Sequence, residues 1–443
     1  MLILFKDLFL RLLTAALTTR PMGFLQEPKP PSSTPRPREL PNGHVGDGAN
    51  PRNFISILAS AIPRLQLILT DNERINAAST SISTNVTGPT IRAKSFPSNI
   101  DGPFLELLYN LTKLPQGSKT WRRDVSDALN DTRFFATPSE LVQTHWAQIF
   151  YQLVLNDKER MPELLGRLTA PTTAGIVFGV GATSARMEAD KRTQLNLRRV
   201  ALLILSCAED TFMPNLAALE EKLVELLTAT PTSSPSSATR SEVYMVLRAL
   251  VLKTSSIHLA PLWPTINAEL QTAIISILPD SNDYEKYTSG SILQACKLLD
   301  TLVTLDPDDF QLYEWLFITD TIDAVYRPAN WKSTALAEEI AEALGTATTT
   351  PNASRNDHVP SFATNENMRR PFLDSLVKGL EAEEGADVRL MAKQELASRV
   401  LRPFFGQLSI LAFEATYGML VPDVKACTDG LVVDLFEDGE AAL

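Results

Sequence analysis

Three apolar runs decide the reading of this chain: Leu197–Cys207 (LRRVALLILSC), Val243–Leu252 (VYMVLRALVL) and Ile292–Leu305 (ILQACKLLDTLVTL). Each reads as a helix and is followed by a short break carrying Pro or Asp, at Asp210–Pro214, Ser255–Pro264 and Asp306–Asp309. A second amphipathic helix is expected after each break, over Leu216–Leu227, Ile266–Leu278 and Phe310–Ile322. The layout recurs at roughly 45 to 50 residues, slightly above the spacing of HEAT and armadillo repeats. Such a unit cannot bury its apolar face alone, so neighbours must stack, and stacked pairs present an extended binding surface. The expected fold class is all-α, a HEAT/armadillo-like α-solenoid of stacked helix pairs.

Composition supports a folded chain: 443 residues, 44% of them hydrophobic, are enough for a real core. The net charge of −11 argues against nucleic acid as a partner, since reading phosphate backbones needs a Lys/Arg excess. Cys207, Cys296 and Cys427 are scattered without CxxC spacing, which fits a reducing compartment and neither a disulfide framework nor a zinc site.

Working outward, residues 1–26 begin with a Leu- and Phe-rich stretch interrupted by Lys6, Asp7 and Arg11. No apolar run there approaches the roughly 20 residues that span a bilayer. An N-terminal amphipathic helix is expected, as part of the solenoid or as an interfacial anchor, and a signal peptide would carry its charges ahead of its apolar core. Residues 27–52 read as a disordered Pro-rich linker, 53–190 as a helical region, 191–345 as the helix-pair repeats, and 346–366 as a second linker. Helices are expected again over 367–421, ahead of an acidic tail at 422–443. Within the helical region, Ser79–Gly102 is polar and broken by Pro89 and Pro97, so a loop is expected there.

The chain offers little for catalysis. His44, His145, His258 and His358 are spread along it and form no cluster. Gly179–Ser184 lacks the preceding strand and final Gly of a dinucleotide loop, and Asp306–Asp309 lacks the Gly and Glu of a calcium loop. We therefore expect no catalytic residue, no metal, no cofactor and no small-molecule substrate. Binding is the remaining chemistry. Among the basic doublets, Lys191–Arg192 and Arg198–Arg199 are candidate contacts for anionic lipid headgroups if the fold brings them to one face. Trp263 and Trp315 are candidates for a partner interface, against the plainer reading of core aromatics.

Three blocks stand in order along the chain. The first is Trp121-Arg122-Arg123-Asp124-Val125, then Phe134-Phe135, Trp146 and the stretch Asp157–Leu165. The second is Asn196–Ala201, Pro214-Asn215-Leu216 and Glu221–Leu227. The third is Leu247–Leu252, His258-Leu259, Leu262-Trp263-Pro264-Thr265-Ile266 and Tyr313–Phe317. Together, in this order, the blocks resemble the C-terminal region of the Dopey family of large eukaryotic trafficking proteins. Dopey proteins are much longer, so the resemblance implies a C-terminal piece or a shortened version. It implies a non-enzymatic, cytoplasmic protein peripheral on Golgi, trans-Golgi and endosome membranes, acting in endosome-to-Golgi retrieval, Golgi organisation and, in fungi, polarity and morphogenesis. The partners it implies are a large Sec7-related scaffold and a phospholipid flippase, with phosphatidylinositol 4-phosphate membranes and kinesin described for animal members. A phosphoinositide-binding module and a helical-repeat cargo adaptor are the alternatives.

Overall fold

A computed structural model describes residues 51–68, 72–114, 119–168, 182–228, 236–318, 335–347, 368–384 and 387–437. The expected N-terminal helix, most of both linkers, Gly175–Gly181 and the end of the acidic segment lie outside the described residues. What is described is all-α. Among the described residues, strand structure is limited to one parallel pair, β1 (Met368–Arg369) and β2 (Val421–Pro422), with Met368 opposite Val421. The chain divides into two compact units, residues 1–158 with 436–443, and residues 159–435.

In the first unit, α1 (Pro51–Ile68) packs along α4 (Gly102–Thr112), burying Leu58, Ala59 and Ile62 against a face carrying Leu105 and Leu108. The helix α1 therefore begins before the linker was expected to end. Asp101 caps α4, accepting from the Phe104 amide at 3.0 Å, and Pro103 occupies its first turn, where no amide donor is missed. The loop expected at 79–102 is corrected over 79–91, where α2 (Asn72–Ile82), a π-helical turn at Ser83–Thr87 and α3 (Gly88–Ile91) follow without interruption; residues 92–101 are turn and loop, as expected. Their inner face is mixed: Ile75, Ile82 and Val86 are buried on it, and so are Ser79, Ser83 and Thr87 at helical spacing. Ser83 and Thr87 donate to one Asp124 oxygen at 2.5 and 2.7 Å, from α5 (Lys119–Asn130). Hydrogen bonds to a buried carboxylate here supplement a thin apolar stripe, so hydropathy alone under-reads the helix. Beyond it, α6 (Ser139–Leu141), a π-helical turn at Val142–Trp146 and α7 (Ala147–Asn156) follow, and Trp146 and Phe150 join an aromatic cluster around Phe134, with centroids 5.1 and 5.5 Å away.

The second unit opens with α8 (Arg160–Gly166) and the long α9 (Ala182–Ser206). The expected boundary at residues 190 and 191 falls inside α9, because the charged stretch and the apolar run after it form one rod. Then come α10 (Leu216–Leu227), α11 (Ser237–Lys253), α12 (Trp263–Ile275) and α13 (Ser289–Leu305). The first helices of successive pairs pack in series, α9 against α11 and α11 against α13, while α10 returns onto α11 and α12 onto α13. Hence α13 is buried almost along its whole length. The breaks also repeat: Asp210 and Asp306 both adopt the left-handed conformation, with φ of 60° and 48°. Asp210 ties its turn to the next pair through the Lys253 carbonyl and the Ser255 amide, at 2.9 and 2.8 Å.

The helix expected over Phe310–Ile322 is shorter. The helix α14 (Asp308–Gln311) gives way to a 3₁₀ turn at Glu314–Leu316. Successive i→i+3 bonds, from Tyr313 to Phe310 and from Leu316 to Tyr313, keep Phe310 and Phe317 stacked inside at 6.0 Å. The unit closes with α15 (Leu336–Ala347), α16 (Leu373–Glu384), α17 (Lys393–Leu396), α18 (Arg402–Tyr417) and α19 (Val424–Glu437), α15 packing on α18. The acidic tail expected from 422 is instead largely a packed helix, since Cys427, Leu431 and Leu435 supply a buried stripe. Asp434 on that helix is buried too.

Candidate partner-binding surface

The second unit holds a chain of buried charges that fixes the fate of the basic candidates. Arg198 of α9 donates to Glu242 of α11 at 2.8 Å and to the Leu435 carbonyl at 3.1 Å, and both charged side chains are buried. Arg199 is buried as well, its guanidinium 2.8 Å from Asn196 Oδ1. This corrects the expectation of a lipid-facing doublet: the two arginines are spent inside the unit. Lys191 and Arg192 remain exposed, but Arg192 pairs with Glu188 one turn back, at 3.2 Å. A pair of that kind is ordinary helix surface.

The network continues across α11 and α13. Arg240 meets Glu269 at 2.5 Å, and the Tyr244 and Tyr287 hydroxyls donate to the same oxygen at 2.8 and 2.9 Å. Asp434 accepts from Arg248 and Lys297, each at 2.5 Å, and Lys297 also reaches Asp374 at 3.0 Å. Burial alone would raise the Asp434 carboxyl, but the two cations beside it hold it down, at about 2. Its neighbour Asp300 behaves oppositely. Burial raises it to about 7, although it accepts from the Leu373 amide at 2.8 Å and so anchors the start of α16. Burial likewise pushes the Cys207 and Cys427 thiols up to about 12. The ionic groups are paired and sequestered, an arrangement that ties helices together, although Arg240 Nε, Arg248 Nε and Glu242 Oε2 have no hydrogen-bond partner among the described residues. A surface pocket of about 390 Å³ lies beside the network, lined by Arg370, Lys378 and Lys425 together with Asp374, Asp423 and Asp429. Its charges largely cancel, with Arg370 on Asp423 at 2.8 Å and Lys425 on Asp429 at 2.5 Å. Among the described residues, no three His, Cys, Asp or Glu side chains gather as a metal site, and no described helix is long and apolar enough to cross a membrane.

The two tryptophan candidates part company. Trp263 opens α12 as a buried side chain 6.1 Å from Phe310, so it is a core residue and its interface role is corrected. Trp315 is 59% exposed. Its indole nitrogen donates to the Leu312 carbonyl at 3.1 Å, which holds the ring in place on the surface. Residues three apart line up in a 3₁₀ turn, and Leu312, 71% exposed, is the neighbour three before Trp315. The Ser256–His258 turn packs against α14, and its Ile257 is 74% exposed. Of the sequence candidates, then, the exposed set is Lys191, Arg192 and Trp315. Leu312 and Ile257 were missed because hydropathy assigns such residues to a core, and only the tight turns show that they face out.

Comparison with known proteins places these elements. A family model described as DOP1 C-terminal matches residues 4–418. "Protein dop1" of Emericella nidulans is 47% identical over 447 residues, covering 98% of this chain and 23% of that protein. "Protein DOP1" of Saccharomyces cerevisiae is 26% identical over 386 residues, covering 84% of this chain and 20% of its own length. "Protein pad-1" of Caenorhabditis elegans is 24% identical over 289 residues, or 61% of this chain and 12% of the relative. The chain thus spans about a quarter or less of the relatives it matches, and no solved structure matches it. With helices, blocks and relatives in agreement over nearly its whole length, the chain belongs to the Dopey family, as a match to the DOP1 C-terminal region.

Proposed function

We propose that this chain is a non-enzymatic scaffold segment of Golgi and endosome trafficking, working by recruiting proteins at the cytoplasmic face of those membranes. Membership in the family over nearly the whole chain carries the reading. The fold is compatible with it: it is all-α, and the serial packing of α9, α11 and α13 with their partner helices supports the proposal of a HEAT/armadillo-like solenoid. The buried charged groups of the second unit hold helices together, which leaves the surface for contacts and the interior for rigidity. The proposed partners are a Sec7-related scaffold and a phospholipid flippase, with kinesin a further one.

Direct binding of phosphatidylinositol 4-phosphate membranes is the weaker reading, since Arg198 and Arg199 are buried and Arg192 is paired. Affinity purification of the tagged protein from its own cells, followed by mass spectrometry, tests the proposal. Recovery of the Sec7-related scaffold and the flippase is expected, and a preparation lacking both overturns the assigned role.

A further inference from the structure

The exposed apolar residues Ile257, Leu312 and Trp315 sit on two turns that pack together, Ser256–His258 and the end of α14. An indole fixed by its own hydrogen bond to Leu312 loses little freedom on being covered, which is the property of a binding anchor. The surroundings are acidic. Asp308 and Asp309 form the first turn of α14, Glu314 opens the 3₁₀ turn, and Glu209 and Asp210 bond to Ser255 beside Ile257. Among the described residues, the cationic side chains nearby are Arg369, 3.8 Å from Asp306, and Lys253, which ends α11. Asp308 is the exposed carboxylate of the α14 turn, whereas one oxygen of each of Asp306 and Asp309 is buried there without a hydrogen-bond partner among the described residues.

We propose that this cluster is a docking point for a basic amphipathic segment of a partner protein, its apolar side chains on Trp315 and Leu312 and its lysines or arginines on the surrounding carboxylates. The proposal rests on the scaffold reading and gives that reading a place and a chemistry. Charge selects the occupant. An anionic bilayer is repelled by the same carboxylates, and a second copy of a chain of net charge −11 brings more of the same sign.

The test uses the 443-residue chain and three fluorescent peptides of about 18 residues, long enough to form a helix on a surface. One is an amphipathic Leu/Lys helix, one its Leu/Glu counterpart, and one a Lys/Ser peptide of equal charge without an apolar face. Anisotropy should show binding of the Leu/Lys peptide alone, weakened about tenfold by Trp315→Ala and by the Asp308→Asn/Asp309→Asn pair. Leu312→Ser is a second probe of the patch, and Tyr417→Ala, at an exposed aromatic elsewhere, should change nothing. Circular dichroism checks that each variant folds. Equal binding of the Lys/Ser peptide, or affinity indifferent to Trp315→Ala, overturns the proposal. If peptide binding fails while the partners still co-purify, the docking point is wrong and the scaffold reading stands. Binding at Trp315 without co-purified partners has the opposite meaning.

Discussion

Asp300 of α13 lies buried with its carboxylate on the Leu373 amide, and it holds its proton up to about pH 7. An unfolded Asp releases its proton near pH 4. Between those values the native state binds more protons, so the contribution of Asp300 favours folding at low pH and is lost as pH rises toward 7. Asp434 has the opposite sign: its carboxyl is depressed to about 2, and its contribution is present above about pH 4 and lost as pH falls toward 2. The melting temperature of Asp300→Asn relative to wild type should therefore rise between pH 5 and pH 8, and a difference indifferent to pH would refute the assignment. The cysteines give a second check. With Cys207 and Cys427 raised to about 12 and Cys296 raised further by burial, none should react with iodoacetamide at pH 7.5 in the native protein. All three should react once denaturant is added, and native labelling of any of them would show that its site opens.

At the level of elements, polar side chains do work usually left to leucine. Replacing Asp124 by Ala strands the buried hydroxyls of Ser83 and Thr87, and denaturant unfolding should show a loss of about 2–4 kcal/mol. A loss under about 0.5 kcal/mol, the range of an ordinary surface change, would mean the π-helical turn stands without it. In the second unit, Arg198→Ala leaves Glu242 buried without its cation and should cost about 3–5 kcal/mol, with Glu242→Gln restoring part of it in the double variant. These same elements show what the amino-acid order discloses. The helix pairs were legible because Leu197, Val200, Leu203 and Ile204, like Ile292, Cys296 and Leu299, recur at helical spacing, and each is buried. Ser79–Thr87 was not, because only Ile82 and Val86 mark its buried face in hydropathy, while Ser79, Ser83 and Thr87 are also buried and the Asp124 that receives Ser83 and Thr87 lies far along the chain. Arg198 lies two turns beyond exposed Lys191, on nearly the same face of α9. What separates them is the arrival of Leu435 and Glu242, which local spacing cannot foresee. Trp263 and Trp315 differ for a similar reason: one opens a helix against Phe310, the other rides a 3₁₀ turn.

On the scale of the whole molecule, the two units share one economy. Ionisable groups in the second unit bind helix to helix, from Arg198 and Glu242 through Arg248 and Asp434 to Lys297 and Asp374. In the first, aromatic rings gather around Phe134. What such interiors leave for function is outer surface, and the proposed role is to hold other proteins there. Hydrogen–deuterium exchange tests this most directly, comparing the chain alone with the chain in the assembly purified from cells. The account predicts new protection at residues 256–258 and 308–317, with the slow amides of α9, α11 and α13 unchanged. Identical exchange in the two samples would contradict it.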